Sequence, residues 1–114
     1  MVVVNADSGQ VIAALEIGNK PDAAGYDPES KLAFSSNGEG TLTVVKQESP
    51  DKYAVLETIP TEKSARTMAL DTKTHKIYLS AAEAGATPAP TADNPHPHLV
   101  MTPDCFHILI VSAD

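Results

Sequence analysis

Two histidines stand one residue apart in the run Asp93-Asn94-Pro95-His96-Pro97-His98. In an extended chain, residues i and i+2 project to the same side, roughly 6.5 to 7 Å apart along the backbone. With Asp93, Cys105 or His107 as a further donor, His96 and His98 would offer the mixed nitrogen, oxygen and sulfur set that zinc accepts. The competing reading is a solvated irregular loop. The stretch from Gly85 to Asp104 carries five prolines, each of which removes a backbone donor and fixes φ. Two histidines in such a tract arise readily by chance, so the loop reading is favoured and no cofactor is expected.

Cys105 and His107 would share one face of an extended strand, the arrangement of a thiol nucleophile beside its base. Nothing in the sequence supplies the third group that orients such a base, and a structural thiol is the simpler account. Asn37-Gly38-Glu39-Gly40 is glycine-rich but opens no helix and lacks the Gly-Lys-Ser of a phosphate loop. Glu39 and Asp51 lie in turns and read as solvated surface.

The elements that position these residues are strands. Val11–Ile17 alternates, with Val11, Ala13, Leu15 and Ile17 on one face, the period of two that marks a half-buried strand. Val2–Val4 precedes it across the turn sequence Asp7-Ser8-Gly9. Further strands are predicted at Asp22–Tyr26, Leu32–Ser36, Thr41–Lys46, Tyr53–Ile59, Arg66–Leu70, Lys76–Ser80 and Phe106–Val111. The turn signals between them are Asp27-Pro28, Asn37-Gly38, Ser49-Pro50-Asp51 and Asp71–Thr74. No segment sustains a period of 3.6, and Gly85 with the prolines after it argues against a helix in the Ala-rich stretch 81–86.

The order of the pieces repeats. Asp22–Asp27 aligns with Arg66–Asp71, and Phe34–Asn37 with Tyr78–Ala81, both at an offset of 44; Val11–Ile17 aligns with Tyr53–Ile59 at 42. A period of 40 to 45 residues carrying four short strands is the signature of propeller blades. With the strands of a blade lettered A to D from the inside out, the chain reads C-D, A-B-C-D, A-B-C. The fold class is therefore all-β, built of antiparallel four-stranded blades of a β-propeller, and incomplete in one chain at about two and a quarter blades. Residues 1–17 form a partial blade, 18–59 a complete one, and 60–114 a final blade that lacks its outer strand and carries the Pro-rich loop 83–104.

The stretch Asp27-Pro-x-x-Lys-Leu-Ala-Phe-Ser-Ser-Asn-Gly38, followed by Thr41-Leu-Thr-Val-Val45, resembles the YVTN repeat of YncE-like β-propellers. Phe34-Ser35-Ser36-Asn37 occupies the tetrapeptide positions, as does Tyr78-Leu79-Ser80-Ala81, where Ala81 departs from the usual Asn. Gly18-x-x-Pro21 is similar to the D-to-A connection of those repeats, whereas Pro60–Ala65 is two residues longer. The resemblance implies the C-terminal two-plus blades of such a propeller. Its full-length relatives are typically exported, although no signal peptide opens this chain.

Asp22 and Arg66 then start two equivalent A strands, innermost in a propeller. They would face a central channel, where they either hold a polar ligand, with Lys20 and Lys63 at the rim, or pair with each other across two blades. Both faces of the strands are apolar, so each blade needs a neighbour, and self-association through exposed blade faces and a free edge strand is expected. Fifteen acidic residues against eight basic ones leave a net charge of −7, which argues against nucleic acid as a partner. No apolar run approaches the ~20 residues of a membrane helix. The function expected is a non-enzymatic scaffold that binds a ligand or a protein and completes its ring by oligomerisation. The alternative is a truncated piece of a propeller enzyme, lactonase-like or quinone-dehydrogenase-like, without activity of its own.

Overall fold

A computed structural model describes residues 1–83, 85–98 and 100–113. Two residues of the Pro-rich loop 83–104, Ala84 and Leu99, and the terminal Asp114 lie outside the described residues. The described chain is all-β: β1 (Val2–Val4), β2 (Val11–Ala14), β3 (Pro21–Asp27), β4 (Leu32–Asn37), β5 (Thr41–Ser49), β6 (Lys52–Pro60), β7 (Met68–Asp71), β8 (Lys76–Ala81) and β9 (His107–Val111). They form three antiparallel sheets in the orders β1-β2, β3-β4-β5-β6 and β7-β8-β9, here sheets I, II and III. Among the described residues no helix is long and apolar enough to cross a membrane.

Several strand ends differ from expectation. β2 stops at Ala14 as a regular ladder, but Leu15 still exchanges backbone hydrogen bonds with Met1, at 2.8 and 2.7 Å. β7 begins at Met68 rather than Arg66, because the Arg66 N–H turns back to the Ser64 carbonyl at 2.9 Å. β5 and β6 run on to Ser49 and from Lys52, their ladder taking up bulges at Val44/Val45 and Gln47/Ser49, irregularities that bend and twist an outer pair.

Sheets II and III share one register. Phe34 faces Val44 and Ser36 faces Leu42 across β4–β5; Tyr78 faces Ile110 and Ser80 faces Ile108 across β8–β9. Since directly opposed residues point to one side of a sheet, each sheet has a front face containing these pairs and a back face containing the alternate ones. The core lies where the front of sheet II meets the back of sheet III. Phe34, Leu42 and Val44 pack there on Ile77, Leu79 and Ala81, flanked by Leu109 and Val111. Gly25 lets β3 and β7 approach: a Cβ placed on it would stand 3.4 Å from the Leu70 Cδ2 and 3.6 Å from its Cβ.

The segment joining sheets II and III is pinned by backbone bonds. The Thr61 N–H reaches the Gly40 carbonyl at 2.8 Å, and the Ser64 N–H reaches the Gly38 carbonyl at 3.0 Å. Gly40 has φ +105 and ends the β4–β5 turn, where its N–H bonds the Asn37 carbonyl at 3.0 Å. The Pro-rich loop leaves and re-enters through one pair of bonds, Gly85 N–H to Val100 carbonyl at 2.7 Å and Thr102 N–H to Glu83 carbonyl at 2.9 Å.

Candidate functional site

A buried carboxyl whose protonation is strongly shifted, Asp27, lies at the seam between sheets II and III. β3 ends in a loop whose residue Asp27 folds its own turn. Its Oδ1 accepts the Glu29 N–H at 3.1 Å and its Oδ2 the Ser30 hydroxyl at 2.7 Å, and Lys31 then takes a left-handed φ of 58. Short polar side chains that bond the backbone two residues on are what makes such turns form. The β7–β8 loop repeats it: Asp71 accepts the Lys73 N–H at 3.0 Å and the Thr74 hydroxyl at 2.7 Å, and His75 takes φ 56. The second turn thereby aims His75 back at the first. Its Nδ1 lies 2.6 Å from Asp27 Oδ2, and its Nε2 3.5 Å from Glu29 Oε2.

Asp27 is 1% exposed, so its charge depends on these partners. The Ser30 hydroxyl, with His75 and the Glu29 N–H, outweighs burial and holds its carboxyl down to about 2. The Asp27 carboxylate in turn raises His75 above the ordinary imidazole value, with smaller contributions from Glu29 and Asp71. The pair lines a cleft of about 100 Å³ together with Leu32, Phe34, Val44, Ile59, Ile77 and Val111. Chemically it is an ion pair across a seam. It joins groups 48 residues apart.

A second polar cluster lies on the back of sheet II. The buried Asn37 amide donates to the Thr41 hydroxyl at 3.1 Å and the Thr43 hydroxyl at 3.0 Å, and its Oδ1 accepts from Ser35 at 3.1 Å. Gly18 lies against it, its N–H on Thr43 at 3.2 Å. A Cβ there would come within 2.6 Å of the Asn37 amide nitrogen and would also meet Thr41. Glu39, expected to be mere solvated surface, is exposed but bonded: Asn19 and Thr41 donate to it at 2.8 and 3.0 Å, and Asn19 foremost lowers its pKa.

Asp22 and Arg66 are brought near one another through the backbone rather than by charge. The Ser36 hydroxyl accepts the Ala23 N–H at 3.3 Å and donates to the Arg66 carbonyl. Both side chains are exposed, and among the described residues no ion pair joins them. His96 and His98 are exposed in the Pro-rich loop. Neither joins Asp93, Cys105 or His107 in a cluster: among the described residues no three metal-ligating side chains come together. Cys105 donates instead to the Thr102 carbonyl at 2.7 Å, and His107 lies 2.8 Å from both the Cys105 carbonyl and Glu62 Oε1. The Cys105 carbonyl and then Glu62 raise the His107 pKa.

The residues that sequence reasoning misses are His75 and Asn37. The Asp-x-x-Ser/Thr pattern at 27–30 and 71–74 is the available signal for His75, since it makes the two turns superimposable. No family model matches the chain, and neither a curated protein nor a solved structure matches it.

Proposed function

We propose that the chain is a non-enzymatic β-propeller segment, similar to the YVTN-repeat propellers, that serves as a ligand- or protein-binding scaffold and completes its ring by self-association. The reading is carried by one observation. Sheets II and III repeat register, turn and left-handed residue at a constant offset, Lys20 with Ser64 and Lys31 with His75, and they stack front to back. A front-to-back stack of like sheets propagates, because every sheet offers its neighbour the face it received. Asp22 and Arg66, exposed where β3 and β7 adjoin, would line the inner side of such a stack and hold a polar ligand there. The shifted carboxyls Asp27 and Asp71 each accept bonds from their own turn, and His75 is spent on Asp27, the structural ion-pair use of perturbed groups, which supports a scaffold.

The stacking is tested by a disulfide. Gly25→Cys with Leu70→Cys, in a Cys105→Ser background, places two sulfurs on Cβ positions 3.6 Å apart, inside the ~3.5–4.5 Å that disulfides require. Mild oxidation of the native protein should close the bond quantitatively. Failure to close it refutes the stacked arrangement, and turnover of a lactone panel by this chain would refute the non-enzymatic reading.

A further inference from the structure

Sheet I covers only part of the back of sheet II. Gly18 donates to the Thr43 hydroxyl at 3.2 Å and β2 lies against β6; on that side Thr43 and Val45 are fully buried. Towards β3 the cover stops at β1, whose second edge pairs with no strand among the described residues. There an open, largely apolar groove of about 560 Å³ runs between β1 and a wall that includes the small side chains of Ala24 and Ala33. The polar groups of that wall are spent on one another, since the Tyr26 hydroxyl donates to Gln47 and the Gln47 amide donates to the Tyr53 hydroxyl at 2.9 Å. The β1 backbone is different. Met1 and Leu15 exchange both of their bonds, at 2.8 and 2.7 Å, and in an antiparallel ladder the next residue faces the other way. Val2 therefore directs its N–H and carbonyl to the free edge. Val4 does the same, because the following Asn5 N–H turns inward to the Gln10 carbonyl at 2.8 Å.

We propose that this groove is a strand-addition site: an extended segment of another protein pairs with the free edge of β1 and turns an aromatic side chain onto Ala24 and Ala33. Main-chain bonds supply affinity in such sites and alternate side chains supply selectivity. The chemistry of the occupant follows from the seam already in the chain. On the front of sheet II the cover is continuous, β7 lying on β3 and β8 carrying Ile77 and Leu79 onto Phe34. On the back it stops short, because sheet I has two strands. By the repeat, β1 and β2 correspond to β5 and β6, and the strand beside β5 is β4, whose Phe34 projects from the front. An added strand of the β4 kind continues the sheet I–sheet II interface across the groove, and the same front-to-back relation sets its aromatic ring against the two alanines. Large against small is how facing layers interdigitate.

An added strand gives the protein-binding reading above its partner class and rests on it, but the two fail separately. The probe is a fluorescein-labelled peptide copying Lys31–Gly38, titrated with the whole chain and followed by anisotropy. It should bind saturably. Methylating its backbone nitrogens removes the ladder donors and keeps the side chains, and should abolish binding; Phe34→Ala in the peptide should weaken it at least about tenfold. In the protein, Val4→Pro removes one outward N–H at an edge position that tolerates proline and should weaken binding roughly two- to tenfold. Ala24→Glu, at an exposed position, sets a charge against the wall and should prevent binding with the parent's circular dichroism unchanged; it decides alone if Val4→Pro disturbs sheet I. No binding, equal binding of the methylated peptide (an apolar ligand site only), equal binding by Ala24→Glu, or binding lost as the chain itself associates (a second copy in the groove) would each overturn the proposal. A silent peptide with the Gly25–Leu70 disulfide closing removes the strand site alone. A bound peptide with that disulfide open removes the stacked scaffold alone.

Discussion

Replacing Gly40 with alanine should cost the protein far more than the same replacement at Gly9, and the difference measures how firmly the joining segment is clamped to sheet II. Gly9 has φ +71, and a methyl group there would have nothing within 4 Å, so alanine meets only the left-handed backbone penalty. That penalty is about 1–2 kcal/mol, reduced by the ~0.4–1 kcal/mol that alanine gains through a less flexible unfolded chain. A net loss of about 1 kcal/mol follows. Gly40 has φ +105, beyond the left-handed well, and its Cβ would lie 3.1 Å from the Lys63 nitrogen and 3.2 Å from the Glu62 carbonyl carbon. Those are backbone atoms held by the Thr61–Gly40 and Ser64–Gly38 hydrogen bonds, so they cannot swing aside as a side chain would. Overpacking of this sort adds about 1–3 kcal/mol, for a total near ~3 kcal/mol. That is a large share of the ~5–15 kcal/mol by which a domain is stable. Urea unfolding followed by far-ultraviolet circular dichroism, at one low protein concentration, gives both numbers. Equal losses at the two glycines, or a smaller one at Gly40, would refute the clamped junction.

Three further outcomes follow from the seam and the core. Stability should peak in weakly acidic solution. His75 is raised by Asp27, so its contribution is complete below the ordinary 6.5 and is lost as pH rises through the raised value, while Asp27 contributes above 3.8 and loses its share as pH falls towards about 2. Urea midpoints at about pH 5 and about pH 9, on either side of the imidazole range, should therefore differ less in His75→Gln than in the parent, His107 beside Glu62 supplying what alkaline loss remains. Leu79→Ala empties the centre of the seam from a fully buried position and should cost about 2–5 kcal/mol in the same unfolding assay. Asn37→Ala leaves buried Ser35 and Thr43 short of partners, a loss of about 1–3 kcal/mol, and Gly18→Ala should not add fully to it because the two share one cluster.

The strands are legible because their information is local. Alternation over Val11–Ile17, the Thr and Val content of 41–46 and the Asn37-Gly38 turn each act within a few residues, and the nine strands stand close to the expected positions. Alignment with Asp22 places Arg66 in a strand; the structure takes it out because a bond to the Ser64 carbonyl competes for its N–H. The same alignment suggests a charge pair, but what binds those two chain segments is the Ser36 hydroxyl on the Arg66 carbonyl, an interaction any residue at 66 would make. His96 and His98 have the spacing of ligands, but among the described residues the fold gathers no further donors around them, which spacing cannot supply.

The seam is illegible for a different reason, and that reason bears on how the chain works. Asp27 and His75 matter to each other only after two sheets have formed and stacked, so the local Asp-x-x-Ser/Thr pattern marks each turn but not the contact between them. The repeat nevertheless prepares the contact, since equivalent turns at 27–31 and 71–75 give each of the two sheets an acid at one turn position and a left-handed residue at another. At 75 that residue is a histidine and at 31 a lysine. The Asp27 carboxylate raises the His75 pKa, so the contribution of this contact is complete below the ordinary imidazole value and is lost as pH rises through the raised one. A seam that uses histidine should loosen on the alkaline side, and His75→Gln should remove that pH response. Urea midpoints across the imidazole range should therefore fall in the parent and fall less in His75→Gln. A parallel decline of parent and variant would mean that the Asp27–His75 contact takes no part in holding the two sheets together.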